Sequence, residues 1–176
     1  SNPQEAFPKL LDWADKFDKD NLYITQRQQI RKVMEQPDSN WMRLINSLWM
    51  DIDSEVRKVF FRNFIVNASL LGSRKQVANR EKYGCNIPWA ILMDPTSACN
   101  LHCTGCWAAE YGNKLNLSYE ELDDIINQAN ELGTYMFLYT GGEPMVRKND
   151  LLRLCEAHPD CVFSAFTNGT LIDEKF

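Results

Sequence analysis

The stretch "IPWAILMDPTSACNLHCTGC", residues 87–106, joins a near-continuous apolar run to a loop that holds three cysteines. A short apolar run of this kind is typical of a strand that is buried on both faces of a parallel sheet. Ligands of such sheets gather at the carboxyl ends of the strands. Since Cys99, Cys103 and Cys106 directly follow the run, the sequence predicts three thiols at that edge of a sheet.

The residues after the cysteine loop alternate between helical and strand patterns. "SYEELDDIINQANELG", residues 118–133, predicts a helix that opens with a Ser118–Glu121 capping box and ends at Gly133. "TYMFLYT" and "CVFSAFT" predict two more strands, with "NDLLRLCEAH" as a short helix between them. This alternation predicts βαβ units that share one parallel sheet. The loops "SACNLHCTGC", "GGEP" and "TNGT" would then lie together at its carboxyl edge.

The residues before this α/β pattern predict helices. "NWMRLINSLW", residues 40–49, carries apolar side chains at helical spacing. A longer helix is predicted from near Ser54 until Gly72 stops it. Its predicted buried positions are Val56, Phe60, Phe64, Ala68 and Leu71. The chain is therefore predicted to divide into a helical N-terminal region, residues 1–85, and an α/β region, residues 86–176.

Charge and composition narrow the class of protein. The 176-residue chain has a net charge of -5 at pH 7, which argues against a nucleic-acid partner. No apolar run reaches the length of a membrane span, and the first residues lack the pattern of a secretion signal. These features predict a cytoplasmic protein with no membrane partner. Thiols stay reduced in that compartment, so clustered cysteines favour metal or redox chemistry over disulfides.

The cysteine loop allows two kinds of metal centre. A structural zinc site wants four ligands in two separated pairs, and the nearby extra candidate is His102, with Cys85 predicted at the opposite end of the sheet. A cubane of four irons ordinarily takes four thiolates. With three thiolates, one iron keeps an open position, as catalytic zinc sites do for substrate. Three cysteines without a fourth therefore point to chemistry at an open iron.

Two motifs together resemble the signature of a known superfamily. Cys99-x3-Cys103-x2-Cys106 after the first predicted strand, followed about 35 residues later by "GGEP", Gly141 to Pro144, after the second, resembles the radical S-adenosylmethionine (radical SAM) enzymes. The resemblance covers roughly residues 87–170. It says nothing about the helical region before them.

The resemblance implies a fold and a set of site residues. The fold would be the first half of a partial (βα)6 barrel, truncated after the third strand. Cys99, Cys103 and Cys106 would hold a [4Fe-4S] cluster whose fourth iron binds S-adenosylmethionine. The residues implied for the cofactor itself are Gly141, Gly142 and Glu143 at its amino end, Pro144 where the strand ends, and Asn168 as a further contact.

The resemblance also implies an activity. Reductive cleavage of S-adenosylmethionine would release a 5'-deoxyadenosyl radical that abstracts hydrogen from an unknown substrate, in an oxidoreductase or a transferase-type enzyme. The family often has an aromatic residue before the last cysteine to seat the adenine, whereas this chain has Gly105. Trp107, one place past Cys106, would either fill that role or only pack under the loop. The competing interpretation is a non-catalytic zinc or iron–sulfur module for binding or electron transfer.

The implied partners are S-adenosylmethionine, the unknown substrate and an electron donor such as flavodoxin or ferredoxin. A full barrel of eight βα units takes about 250 residues, so the chain is expected to be a fragment of a longer enzyme and inactive alone. The open edge of its third strand would invite self-association.

Overall fold

The computed structural model describes residues 3–19, 21 and 23–174, which form two compact units, Ser1–Lys58 and Val59–Phe176. The first unit is helical. Its helices are α1 Pro3–Phe17, α2 Ile24–Met34 and α3 Asn40–Asp51, followed by α4 Ser54–Phe60 at the boundary between the units. In this unit the buried Arg27 of α2 forms ion pairs with Asp15 and Asp18 of the α1 segment.

The second unit is α/β. It opens with a π-helix, Phe61–Gly72, and continues with α5 Ser73–Tyr83, β1 Ala90–Met93, α6 Tyr119–Leu132, β2 Met136–Tyr139, α7 Lys148–Ala157 and β3 Val162–Ala165. Two short 3-10 helices, Trp107–Tyr111 and Pro144–Arg147, lie in the loops that follow β1 and β2. The helices from Val59 to Tyr83 thus belong to the sheet unit by compactness, and the predicted division at residue 85 stays a prediction.

The three strands form one parallel sheet in the order β1-β2-β3. In its register Ile91, Phe137 and Phe163 are neighbours across the sheet. Phe137 stacks on Phe163 with ring centroids 5.7 Å apart, and Tyr139 stacks on the same ring at 5.8 Å. The buried core extends from this face to α6 and α7, and includes Leu122, Ile126, Leu151 and Leu154. The α/β class and the parallel sheet behind an N-terminal helical region are confirmed.

Helix α6 forms where the sequence predicts it. Ser118 Oγ accepts the Glu121 N–H at 3.1 Å, and Glu121 Oε2 accepts the Ser118 N–H at 2.7 Å, so the predicted capping box is confirmed. These bonds satisfy two of the backbone donors that every helix leaves free at its start. Gly133 ends the helix with φ 98°. The helix therefore sets a fixed connection between β1 and β2.

The prediction that Gly72 stops a helix is wrong. Helix α5 begins at the next residue and ends at Gly84, which has φ 65° and donates its N–H to Arg80 O. Gly72 is instead required by packing, since a Cβ there would lie 2.5 Å from the Gly133 carbonyl oxygen. The glycine allows the end of the π-helix to touch the turn that leads into β2.

Most of the predicted buried positions before Gly72 are wrong, and Phe64 is only half-buried. Val56, Phe60 and Leu71 are more than half exposed, whereas Ala68 is buried as predicted. Asn63 is buried, and its Nδ2 donates to Pro159 O at 2.9 Å and to Cys161 O at 2.8 Å. Both turns that the π-helix contacts lie just before strands. It therefore lies at the amino ends of the strands, away from the predicted site.

Among the described residues no helix is both long enough and apolar enough to cross a membrane.

Candidate functional site

The loops after β1, β2 and β3 meet at the carboxyl edge of the sheet, as predicted. The β1 and β2 loops are hydrogen bonded through their backbones. Thr140 N–H donates to Met93 O at 2.9 Å, Gly142 N–H to Thr96 O at 3.0 Å, and Glu143 N–H to Ala98 O at 2.8 Å. The segment that leads into Cys99 therefore continues the sheet pairing by a few residues beyond β1. The start of the cysteine loop therefore lies directly against the GGEP loop.

The two glycines of GGEP leave no room for side chains. A Cβ on Gly142 would lie 2.1 Å from Ala98 O, and one on Gly141 would lie 2.7 Å from Thr96 O. Gly141 also has φ 102°, a conformation that L-residues rarely adopt. Pro144 is fully buried just behind them, at the start of the 3-10 helix. The glycine pair thus brings the two motif loops into direct backbone contact.

The other side of the cysteine loop is fixed by the segment before α6. Thr96 is 1% exposed, and its Oγ1 accepts the Ala98 N–H at 3.0 Å and donates to Asn116 Oδ1 at 2.5 Å. Arg147 Nη1 donates to Pro95 O at 3.2 Å and to Leu117 O at 2.8 Å. These contacts stabilise the start of the loop, because a buried carbonyl or hydroxyl without a hydrogen-bond partner would cost free energy.

The three thiols lie on the outer part of this loop. Cys99 and Cys106 are partly exposed and Cys103 is exposed, and all three are free. Leu101 N–H donates to Cys99 Sγ at 3.5 Å, the kind of contact that tunes the sulfur ligands of iron–sulfur clusters. The Cys106 N–H donates to Cys103 O at 3.2 Å, which closes the turn between the last two thiols.

The arrangement of the thiols bears on the kind of metal centre they fit. In the part of the chain that the structure describes, no three Cys, His, Asp or Glu side chains are grouped to hold one metal ion. A zinc ion needs its sulfur ligands about 2.3 Å from a single point. In a cubane each thiolate binds a different iron, so its ligands surround a larger body. The binding of a cluster by Cys99, Cys103 and Cys106 stays a prediction.

Glu143 is buried at the centre of the site. Its side chain is 2% exposed, and its carboxylate accepts three hydrogen bonds: from Met145 N–H at 2.9 Å, from Thr167 Oγ1 at 2.6 Å and from Asn168 N–H at 2.8 Å. A carboxylate has about four acceptor positions. Glu143 therefore joins the loop after β2 to the loop after β3, and its predicted contact with a cofactor amino group stays a prediction.

Asn168 lies where the sequence predicts it, on the exposed turn after β3. Its side chain contacts Asn100 and Thr170, with Nδ2 donating to Asn100 Oδ1 at 3.0 Å. Asn100, Thr96, Thr167 and Arg147 take part in the site but were not predicted from the sequence. Thr167 belongs to the quoted "TNGT" turn. The other three contact segments distant in sequence, for which no local pattern exists.

An aromatic pair lies beside the last cysteine. Trp107 and Tyr111 are 59% and 56% exposed, with ring centroids 5.8 Å apart and planes at 77°. Gly105 has φ 76°, and a Cβ on it would meet no atom within 4 Å, so this residue serves the turn conformation. Trp107 is thus an exposed aromatic face next to Cys106, consistent with its prediction as an adenine contact, which stays a prediction.

Comparison with known proteins gives one family and several relatives. Residues 93–176 match the family model of the radical SAM superfamily. A GTP 3',8-cyclase of Geobacter sulfurreducens is 38% identical over 101 residues, covering 53% of this chain and 31% of that protein. An Fe-coproporphyrin III synthase of Methanosarcina barkeri is 38% identical over 93 residues, covering 48% of this chain and 22% of that protein.

A second GTP 3',8-cyclase, of Chlorobaculum tepidum, is 29% identical over 107 residues and covers 58% of this chain and 32% of that protein. The chain thus spans less than a third of the length of these curated relatives. No solved structure matches it significantly. The matched region begins at Met93, the last residue of β1, and contains β2, β3, the three cysteines and GGEP. Residues 93–176, just under half of the chain, therefore match the radical SAM superfamily.

Proposed function

We propose that Cys99, Cys103 and Cys106 bind a [4Fe-4S] cluster and that S-adenosylmethionine binds beside it over the GGEP loop. When bound, such a cluster supplies the electron that cleaves S-adenosylmethionine and so yields a 5'-deoxyadenosyl radical for hydrogen abstraction from a substrate. This function belongs to the superfamily of the chain. The chemistry resides in the cofactors, and the protein binds and orients them and excludes water.

The observation that carries the proposal is the direct contact between the two motif loops. Gly142 N–H and Glu143 N–H donate to Thr96 O and Ala98 O, and a Cβ on either glycine would overlap this backbone. A loop of three thiols is therefore fixed, one residue before Cys99, to the loop implied to bind the cofactor. An isolated structural metal loop would not require that contact.

The residues of the chain then have distinct roles. The three thiolates bind iron, and the N–H of Leu101 stabilises negative charge on Cys99 Sγ. A cofactor ammonium group needs acceptors, and three of the acceptor positions on Glu143 are already filled. We therefore assign the ammonium contact mainly to backbone carbonyls of Gly141 and Gly142, with Glu143 keeping them in place. Pro144 starts the helix behind them, and Asn168 borders the site.

For the whole enzyme we propose only the class of reaction. The relatives are named for two different reactions, so the proposal covers cofactor chemistry, in an oxidoreductase or a transferase, and assigns no substrate. The electron would come from a donor such as flavodoxin or ferredoxin. Since the chain spans less than a third of its relatives, we expect no substrate turnover by these 176 residues alone. A reducing compartment, the cytoplasm, suits three free thiols.

Anaerobic reconstitution with iron and sulfide tests the proposal. The chain should become brown and retain about four irons and four sulfides after desalting, as a [4Fe-4S] cluster requires. Replacement of Cys99, Cys103 or Cys106 by Ala should abolish retention. The matched controls are Cys85→Ala and Cys155→Ala, which remove exposed cysteines outside the loop and should leave the iron content unchanged.

Metal analysis separates this proposal from the alternative. One zinc per chain without sulfide would instead favour a non-catalytic metal module. A colourless chain that retains no iron would contradict the proposed function. So would equal loss of iron in the control variants, because the binding would then not depend on the loop.

A further inference from the structure

A closed ring of side-chain hydrogen bonds joins the cysteine loop to the turn after β3. Asn168 Nδ2 donates to Asn100 Oδ1 at 3.0 Å, Asn100 Nδ2 donates to Thr170 Oγ1 at 2.8 Å, and Thr170 Oγ1 donates to Asn168 Oδ1 at 2.7 Å. Each of the three side chains therefore donates once and accepts once within the ring. Hydrogen bonds arranged in this head-to-tail way polarise and strengthen one another.

The ring is anchored to the buried part of the site. Asn168 N–H donates to Glu143 Oε2 at 2.8 Å, and Thr167 Oγ1 donates to Glu143 Oε1 at 2.6 Å. Glu143 is 2% exposed, so the turn that carries Asn168 and Thr170 has a fixed position. The ring extends that fixed position outward to Asn100, which links the loops after all three strands.

Asn100 is placed where the cysteine loop has few other supports. It directly follows Cys99 and lies three residues before Cys103. Within residues 99–106, as the structure describes them, the remaining hydrogen bonds are local: Leu101 N–H to Cys99 Sγ and Cys106 N–H to Cys103 O. The backbone contacts with the GGEP loop end at Ala98. Asn100 thus supplies the long-range hydrogen bonds of the segment that carries the thiols.

We propose that Asn100 is a positioning residue, which sets the path of the loop between Cys99 and Cys103 through its ring with Asn168 and Thr170. The inference rests on the proposed function, since it concerns the orientation of thiolates toward a cluster. Through the same ring Asn168 has a second role, in addition to its predicted contact with the cofactor. Its amide is engaged on both sides, by Asn100 and by Thr170.

The first experiment measures hydrogen exchange in the apo chain by mass spectrometry. Asn100→Ala and Thr170→Val should raise exchange in residues 97–106 by at least roughly fivefold, because each removes two hydrogen bonds of the ring and one typical bond alone accounts for about that factor. Thr170→Ser keeps the hydroxyl and should restore the wild-type rate. Asn127→Ala removes another exposed amide, whose bond to Asp123 lies on α6, and should leave residues 97–106 unchanged.

The second experiment measures the reconstituted chain. Asn100→Ala and Thr170→Val should shift the electron paramagnetic resonance signal of the reduced cluster and lower iron retention severalfold, while Thr170→Ser and Asn127→Ala match wild type. A merely structural ring would alter exchange without altering the resonance signal, and that result would overturn the proposal. Unchanged exchange in Asn100→Ala would overturn it as well.

Failure of the proposed function gives a different result. If wild-type chain retains no iron, the proposed function fails and the positioning role falls with it, even where the exchange data still show the ring. If wild-type chain retains iron but the variants behave as Asn127→Ala does in both measurements, the proposed function stands and only the role of Asn100 is overturned.

Discussion

At the residue scale, Gly142 and Gly105 are required for different physical reasons. Gly142 has no positive φ, yet its Cβ would lie 2.1 Å from Ala98 O, so its small size alone permits the contact between the motif loops. Gly105 has φ 76° and open space around it. The first glycine serves packing and the second serves conformation.

This difference makes a prediction for two glycine substitutions. Gly142→Ala should lower the free energy of unfolding by about 3 kcal/mol, because overpacking against backbone cannot be relieved by a side-chain rotation. Gly105→Ala should lower it by about 1 kcal/mol, the cost of a left-handed conformation. Urea denaturation of the two variants measures both. An equal or smaller loss in Gly142→Ala would contradict the close contact of the loops.

Cys161 makes a second residue-scale prediction. Burial, with the charge of Asp160 adding to it, raises the pKa of the Cys161 thiol to about 11, above the ordinary value of about 8.5. Residue-resolved alkylation of the folded chain at pH 8 should therefore modify the exposed Cys85 and leave Cys161 unmodified. Modification of Cys161 should increase as the pH approaches 11. Equal rates for the two thiols at pH 8 would contradict the burial of Cys161.

The same shift gives the sign of a pH effect on stability. The folded pKa of Cys161 is raised, so its contribution is complete below the unfolded pKa and is lost as the pH rises through about 11. Tyr139, whose pKa is also raised by burial, acts in the same direction. The free energy of unfolding should thus fall on the alkaline side, and it should fall less in Cys161→Ala.

At the element scale, the π-helix Phe61–Gly72 organises the amino ends of the strands. Asn63 and Gly72 both face this region, although nine residues would be about two and a half turns of an α-helix and would place them on opposite faces. The wider i→i+5 pattern brings them to the same side. Asn63 then satisfies two carbonyls and Gly72 touches the turn before β2.

Substitution of Asn63 tests this arrangement. Asn63→Ala should lower the free energy of unfolding by about 2 kcal/mol, because Pro159 O and Cys161 O lose their shared buried donor. Asn67→Ala is the matched control, since Asn67 donates to the exposed Asp160 O at 3.0 Å, and its loss should be smaller. Thermal unfolding followed by circular dichroism ranks the two. A larger loss in Asn67→Ala would contradict the arrangement.

The elements also show what local sequence could predict. The α6 capping box was predictable because Ser118 and Glu121 are three residues apart and depend on nothing distant. The strands were predictable from short apolar runs. The buried face of the helix from Ser54 was not, because its prediction assumed 3.6 residues per turn throughout, whereas a π-helix begins at Phe61, and because Val56 and Phe60 of α4 are exposed despite their helical spacing. The sequence predicts a helix end at Gly72 because a glycine required by packing cannot be distinguished, in sequence, from one that ends a helix.

In the candidate site, too, the contiguous motifs were predictable and the contacts between distant residues were not. The cysteines and GGEP are contiguous motifs, so the sequence identified them and their order along the sheet edge. The contact of Asn100 with Thr170 spans 70 residues, and no periodicity or motif links such a pair. The hydrogen bonds of that ring form only when the strands bring their loops together, so the sequence alone does not predict them.

At the scale of the whole molecule, the chain is two compact units, Ser1–Lys58 and Val59–Phe176. The first contains the buried Arg27 with its partners Asp15 and Asp18, whose side chains are 44% and 8% exposed. The second contains the sheet and the candidate site. Each unit thus has buried residues of its own.

Substitution of Arg27 tests the buried ion pairs of the first unit. Arg27→Ala should destabilise the first unit by about 2 kcal/mol, since Asp18 loses its buried partner while Asp15 remains partly hydrated. Hydrogen exchange should increase in residues 23–58. Arg31→Ala, which removes a more exposed partner of Asp12 and Asp15, should have a smaller effect. An effect of Arg31→Ala as large as that of Arg27→Ala would contradict the importance of the buried ion pair.

The central claim for the whole molecule is that three thiolates hold a cluster whose remaining iron accepts S-adenosylmethionine. The measurement that tests it most directly is the electron paramagnetic resonance spectrum of the reduced, reconstituted chain with and without S-adenosylmethionine. The account predicts a changed spectrum when S-adenosylmethionine is added, and the same spectrum as before when adenosine is added instead. A chain that contains the cluster and gives one unchanged spectrum with S-adenosylmethionine would contradict it.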